Sequence, residues 1–192
     1  LREIALHILD IAENSVTAGA KTVEIMIDED LAGNRIRIVI EDDGRGMDEQ
    51  MLLKVADPFV TNRATRVVGL GIPFLKAAAE ACNGSLRLSS EPGGGTRLEA
   101  EFERDHIDRM PLGDLSGTIL ALVVGFPEIH WVFHYQVDRE RFTFDDRPLK
   151  RELGDIPLSE PSVLRFIRET LQAGIAGIKS AALSPAVSAQ GG

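Results

Sequence analysis

With 192 residues, 44% of them hydrophobic and 27% charged, the chain has the balance of an ordinary globular protein of one domain, or of one domain with an appendix. A formal net charge of -9 argues against a general nucleic-acid or anionic-membrane binder, and the single cysteine, Cys82, excludes an internal disulfide. The longest apolar run, near Thr118 to Phe126, is too short to span a bilayer, so a cytoplasmic protein without membrane span or signal peptide is expected; residue 1 is Leu rather than Met, which leaves an upstream segment open.

From Arg2 to Val16 the apolar positions Ile4, Ile8, Ile11 and Ala5, Leu9, Ala12, Val16 cover one broad face of a predicted helix. Glu3, His7, Asp10 and Asn14 form a polar stripe opposite, and Gly19 fits the position just past the helix end. Val23, Ile25 and Ile27 alternate with polar residues as in a half-buried strand. Ile36, Ile38 and Ile40 repeat the pattern after a turn at Ala32-Gly33-Asn34. Asp48 is placed to cap a short helix with Glu49 and Gln50 in its first turn. Residues 57–68 show no period and read as a loop. Gly71 to Cys82 is an alanine-rich helix ended by Asn83-Gly84, with Pro73 in the first turn, where its missing N–H costs least. Ser85–Ser90 and Thr96–Glu103 are strands joined by Pro92-Gly-Gly-Gly95. The order α-β-β-α-α-β-β predicts an α+β fold, a layer of helices on a mainly antiparallel sheet.

Composition changes after Arg104. Leu115–Gly125 reads as a helix, and Ile129–Asp145 as a hairpin turning near Asp138-Arg139. Ser162–Lys179 reads as a helix with Leu164, Ile167, Leu171, Ile175 and Ile178 on one face and Ser159 or Ser162 as cap. The expected organisation is a first domain over 1–104, a small α+β appendix over 105–180, and a disordered tail over 181–192.

Three short segments carry chemistry. Asp10 and Asn14, four apart, project from one helix face as an acid and a metal-capable amide. Asp42, followed by Gly44 and Gly46, ends a strand where backbone turns tightly and comes close to a ligand. Gly69-Leu70-Gly71 opens a helix, where free backbone N–H groups favour phosphate. Taken singly, these are also a solvated helix face, a turn after a strand and a common helix entry. Together they point to a nucleotide site.

In this order the segments resemble the ATPase superfamily shared by gyrase, mismatch-repair MutL, the ninety-kilodalton heat-shock chaperones and histidine kinases, the GHKL or Bergerat fold. The resemblance covers residues 1–103. Glu-Asn-Ser-Val-Thr-Ala-Gly-Ala at 13–20 is similar to the gyrase and mismatch-repair form of the asparagine motif. Asp-Pro-Phe-Val-Thr, Gly-Leu-Gly-Ile and Ser-Glu-Pro-Gly-Gly-Gly-Thr, within 56–102, are similar to a histidine kinase catalytic domain. The resemblance implies a two-layer Bergerat sandwich that binds ATP and Mg²⁺. It assigns Asn14 to Mg²⁺ as a hard neutral oxygen donor, Asp42 to the adenine amino group, and Gly44 and Gly46 to the turn beneath the base. Gly69, Leu70 and Gly71 would face the phosphates, and Thr96 would reach adenine through water. Asp10 would orient the attacking water, and Arg63 or Arg66 would neutralise the γ-phosphate. Three departures imply slow turnover: Asp10 is a methylene shorter than the usual glutamate, Val67-Val68 replace Gly-Thr, and the segment from Phe59 to Gly69 is short.

The implied function is a slow ATPase, or a nucleotide-dependent regulator that acts on a protein partner through the appendix. The alternatives are a histidine or serine protein kinase and a non-enzymatic nucleotide switch. His106-Ile-Asp-Arg-Met-Pro-Leu112 is similar to a kinase phosphoacceptor box, but it follows the domain instead of preceding it and has Ile107 where an acid is needed. Leu112-Gly-Asp-Leu-Ser-Gly-Thr and Glu152-Leu-Gly-Asp-Ile-Pro-Leu resemble tails of stand-alone ATPases found beside iron-only hydrogenase subunits of anaerobic bacteria. His130 and His134, four apart on a predicted strand and so facing the same way, read as surface residues without a third metal ligand, Trp131 as core and Cys82 as a packed thiol.

Overall fold

The computed structural model describes residues 3–56 and 71–183. Helix α1 (Ile4–Thr17) leads into the hairpin β1 (Thr22–Asp30) and β2 (Arg35–Asp42), then α2 (Glu49–Ala56) and α3 (Gly71–Ala81). A second hairpin, β3 (Ser85–Glu91) and β4 (Gly95–Glu103), precedes α4 (Leu115–Gly125), the hairpin β5 (His130–Val137) and β6 (Glu140–Asp145), α5 (Asp146–Leu153) and α6 (Pro161–Leu183). The six strands form one sheet in the order β3-β4-β2-β1-β5-β6. Every neighbouring pair is antiparallel except β1 and β5, which run parallel. The sheet therefore continues across position 104: the C-terminal hairpin docks on β1, and one hydrophobic cluster joins Ile4 and Ile25 to Phe133 and Ile167.

Strict alternation makes this sheet two-faced. Val23, Ile25, Ile27, Ile36, Ile38 and Ile40 point into the core, each 2% exposed or less. The other face carries charge ladders such as Arg37 with Asp28, 2.9 Å, and Arg97 with Glu41, 2.5 Å. Helices α1, α3, α4 and α6 pack on the apolar face. Apolar nearly throughout, α4 packs against both α1 and α6. Such a helix is stable only when flanked by others.

Local signals set the element ends. Asp48 Oδ1 accepts from the Met51 N–H, and Asn34, Asn83 and Gly19 take positive φ where expected. Three expectations are corrected. The cap of α6 is Glu160, whose carboxylate accepts from the backbone N–H of Ser162 and Val163, so neither Ser159 nor Ser162 fills that role. Helix α6 reaches Leu183, past the predicted start of the tail, while the rest of that tail, 184–192, lies outside the described residues. The polar stripe of α1 is interrupted: His7 is buried, packed inward beside Ile4 and Ile8.

Candidate functional site

The end of the sheet where β2 finishes is built around one carboxylate. Asp42 lies opposite Thr96 across the β2–β4 ladder. Its Oδ2 accepts from the Ser15 hydroxyl at 2.6 Å, and its Oδ1 accepts from the Gly44 N–H at 2.9 Å. Two donors on separate elements fix the carboxylate plane while leaving lone pairs to accept from something else. Ser15 was not among the residues picked from sequence. The sequence shows only its place, four after Ile11 and three after Ala12 on the apolar side of α1, and the structure shows it buried there.

The adjacent Asp43 does a different job. Its Oδ1 accepts from the backbone N–H groups of Lys21 and Thr22, at 2.6 and 2.8 Å, tying the start of β1 to the end of β2. Burial opposes ionisation, but these backbone donors hold the Asp43 carboxyl below its ordinary value. Of the two neighbouring acids, the first opens on a cavity and the second is a structural clasp.

The glycines let the chain turn beneath Asp42. Gly46 has φ +65, and a Cβ there would sit 1.9 Å from the Glu91 carbonyl oxygen; at Gly44 a Cβ would lie 3.0 Å from that of Ala18. Only glycine satisfies both the backbone angle and the approach at position 46. The backbone is knitted on both sides, Arg45 N–H to Ala18 O at 3.0 Å and Gly93 N–H to Arg45 O at 2.7 Å. Ser90 Oγ accepts from Met47 N–H at 2.8 Å, donates to Gly95 O at 2.7 Å, and lies 3.0 Å from Thr96 Oγ1. Its one proton goes to the carbonyl, so the Thr96 hydroxyl donates to Ser90 and keeps its own lone pairs for solvent or ligand.

Asp42 and Thr96 line the polar end of a cavity of about 660 Å³, counting its open mouth. Ile40, Met47, Met51 and Leu98 give it apolar walls, and Asn14 and Arg45 also line it. An apolar slot with one fixed acceptor fits a flat heteroaromatic ring that carries an amino group.

Asp10, exposed on α1, reaches the start of α3: a Cβ on Gly71 would lie 3.3 Å from Asp10 Cβ and 3.6 Å from its Oδ2. Asp10 thus lies against the first residue of α3, a helix N-terminus that favours negative charge, one turn of α1 from Asn14, which lines the cavity. Arg63, Arg66, Gly69 and Leu70 lie outside the described residues. Arg45, which lines the cavity mouth, is a cation that sequence reasoning missed.

The other histidines are placed elsewhere. His106 N–H binds Glu103 O at the far end of β4, about seven strand steps from Thr96, or ~23 Å. His130 pairs with Asp145 at 2.9 Å and His134 with Glu24 at 3.0 Å, so they do not converge on a ligand. His134 is only 9% exposed, which corrects its assignment to the surface; Trp131 and Cys82 are buried as expected. His130, Asp145 and Asp146 do cluster, but the Lys150 ammonium lies 2.6 Å from the buried Asp146 and supplies the positive charge there.

Among curated proteins, sporulation kinase A of Bacillus subtilis is 27% identical over 104 residues, covering 54% of this chain and 16% of its own length. The DNA mismatch repair protein MutL of Halobacterium salinarum is 30% identical over 128 residues, covering 62% of this chain and 19% of its own length. The chain thus spans less than a fifth of these relatives. A solved structure described as the N-terminal domain of a DNA repair protein superposes with a TM-score of 0.53 at 10% identity, covering 91% of this chain and 57% of that one. It shares the fold across both halves of the sheet. Residues 1–106, over half of the chain, match the family described as histidine kinase-, DNA gyrase B-, and HSP90-like ATPase, and with that match the chain belongs to this GHKL family.

Proposed function

We propose that the cavity binds Mg·ATP and that the protein hydrolyses it slowly. The observation that carries this reading is the Asp42 carboxylate, clamped by Ser15 and Gly44 at the polar end of an apolar slot. Asp42 accepts a hydrogen bond from the adenine amino group. Guanine presents a carbonyl oxygen at the equivalent position, so two acceptors would face one another.

Thr96 reaches the base through water, and Gly44 and Gly46 keep the backbone low enough for the ring to lie over it. Asn14 offers a neutral amide oxygen beside the Asp10 carboxylate, a donor set that fits Mg²⁺. When bound, the ion supplies charge neutralisation and orientation of the phosphates. Gly69, Leu70 and Gly71 hold the phosphates by backbone N–H groups at the start of α3, and Arg63 or Arg66 meets the γ-phosphate. Asp10 accepts a proton from, and orients, the attacking water. Its short side chain makes this step slow. The segment after Arg104 passes nucleotide state to a protein partner. The protein works in the cytoplasm, with neither nucleic acid nor membrane as ligand; among the described residues no helix is long and apolar enough to cross a membrane.

A second reading, phosphoryl transfer to protein, draws on the kinases among the relatives. His106 lies at the opposite end of β4 from the Asp42 cavity, a placement that favours transfer from another copy over transfer within one chain. Incubation with γ-labelled ATP and Mg²⁺ distinguishes the readings. Free phosphate that disappears in Asp10→Asn supports hydrolysis. Label retained on the protein replaces hydrolysis with transfer, and unchanged ATP affinity in Asp42→Asn removes the site assignment itself.

A further inference from the structure

The opposite end of the sheet holds a second cavity, of about 940 Å³ with its open mouth, and nothing in the nucleotide reading uses it. It lies between the last residues of β1 and β5, the segment after β4, and the end of α6. From Thr22 beside Asp43 to Glu29 is seven strand steps, so the two cavities are separated by roughly 23 Å along β1.

Its floor is an acid whose charge is already met. Glu29, 7% exposed, accepts from Tyr135 Oη at 2.5 Å through Oε1 and from Arg104 Nε at 2.8 Å through Oε2. Arg104 also binds Asp105 at 2.7 Å. Two further cations line the cavity, and neither has a carboxylate within ion-pair distance among the described residues. Arg109 donates to the backbone carbonyls of Arg104 and Met110, which position the guanidinium without neutralising it. The Lys179 ammonium lies 5.8 Å from the centre of the Tyr135 ring. Pro111, Leu112 and Val137 contribute apolar wall.

In a chain of net charge -9, two cations without a carboxylate partner facing one concave, half-apolar space are a poor arrangement for the empty protein. Their charge has no acidic partner there, while that of the acid beneath them is already matched by Arg104. An anion with an apolar body supplies that partner and covers the wall. The space, open to solvent on one side, has room for a small organic molecule.

We infer that this cavity is a second ligand site, which takes a small organic anion: a carboxylate or phosphate carried on an apolar body, held by Arg109 and Lys179 above the Glu29–Tyr135–Arg104 floor. The site is independent of the nucleotide reading and stands if that reading fails.

The test uses 8-anilinonaphthalene-1-sulfonate, an aromatic anion, titrated into the full chain with the Asp42 cavity saturated by a non-hydrolysable ATP analogue. Because the Asp42 cavity lies roughly 23 Å away, probe bound there does not respond to substitution of Lys179, and this keeps the two sites distinguishable even if no nucleotide binds. One probe is expected to bind per chain, with affinity at least tenfold weaker in Lys179→Gln and largely lost in Lys179→Glu. Lys179→Arg should restore it. Lys179 is exposed, so these variants fold; Arg109→Gln is read only where its circular dichroism matches wild type. Displacement by inorganic phosphate assigns a phosphate-bearing ligand, and displacement by benzoate but not phosphate assigns a carboxylate. No binding, affinity unchanged in Lys179→Glu, or a probe that neither anion displaces would each overturn the proposal.

Discussion

The two ends of the sheet use acidic residues in opposite ways. At one end Asp42 is held by neutral donors, a hydroxyl and a backbone N–H, and opens on an apolar slot. At the other Glu29 is held by a phenol and a guanidinium, which already meets its charge. A carboxylate fixed by neutral donors keeps its charge for a ligand. One paired with an arginine has spent that charge on the fold, and selectivity passes to whichever cations remain around it. Burial and hydrogen bonding alone do not separate these cases; the charge of the partners does.

The largest effect that tests this contrast is on stability. Arg104→Ala strips Glu29 of its cationic partner while leaving it buried. Breaking a buried pair on one side costs about 3–5 kcal/mol, and because the Arg104 side chain is 31% exposed, water reaches the gap and the lower end of that range is expected. Urea unfolding should show the loss, and ATP affinity should stay within twofold. A stable variant with weakened ATP binding would mean that the two ends are not separate devices. The converse comes next. Asp42→Asn should weaken ATP by roughly 30- to 150-fold, from ~2–3 kcal/mol for a hydrogen bond to a charged acceptor. Its urea midpoint should hardly move, because the amide oxygen still accepts from the Gly44 N–H while the amide NH₂ donates to the Ser15 hydroxyl, which turns to accept. Calorimetric titration with ATP and GTP measures it, and equal losses for both nucleotides would contradict adenine selection by Asp42.

These two ends also differ in how far they could be read from the sequence. The Asp42 end comes from short local patterns: a helical spacing of four at Asp10 and Asn14, a strand running into Asp42-Asp43-Gly44, and a strand restarting at Thr96 after glycines. Backbone geometry forces such patterns, so the elements, and the candidate residues that stand at their ends, are legible in the sequence. The resemblance singles out Asp42, but the pattern gives no role to Asp43 beside it; the tertiary contacts to Ser15 and to Lys21 separate the two carboxylates. It also hid Ser15, which reads as one more small residue in a helix. The Glu29 end draws on positions 29, 104, 109, 135 and 179, which no periodicity connects. It depends on β5 lying parallel to β1, a long-range pairing that local spacing does not encode. His7 and His134 were misread for the same reason: a polar side chain on an amphipathic element is assigned to solvent until a neighbouring element covers it.

A smaller change sharpens the Asp42 side. Ser15→Ala removes the 2.6 Å hydroxyl donor, leaving Gly44 as the single clamp. The carboxylate then keeps its charge but gains freedom to rotate, which predicts a loss of ~1 kcal/mol in ATP affinity, roughly fivefold. The Ser15→Ala/Asp42→Asn double variant should bind ATP no more weakly than Asp42→Asn, because serine acts only through that carboxylate. Additive losses would show that Ser15 touches the nucleotide itself.

The smallest expected effect belongs to neither end and serves as their control. His134 lies on the charged face of the sheet, with Nε2 3.0 Å from Glu24 and Nδ1 2.8 Å from the Thr143 hydroxyl. Burial, helped by Arg141, lowers its pKa from 6.5, against the pull of Glu24 and Asp145. The unfolded chain therefore binds this proton more tightly than the folded one. Above pH 6.5 neither state carries it and stability is complete. As pH falls below that value the unfolded state protonates first, and stability declines until the folded-state pKa is passed. Asp43 and Asp145, whose folded pKa values are depressed, lose their contributions only at lower pH, below their ordinary 3.8. Asp146 is shifted upward by burial, so only a difference between two proteins isolates the histidine. Urea midpoints of wild type and His134→Gln, compared at pH 7.5 and 5.5, should show a larger acid loss in wild type. An equal loss in both would place the sensitivity elsewhere. ATP affinity should be the same in both proteins at pH 7.5, since His134 faces away from the Asp42 cavity and from the Glu29 floor alike.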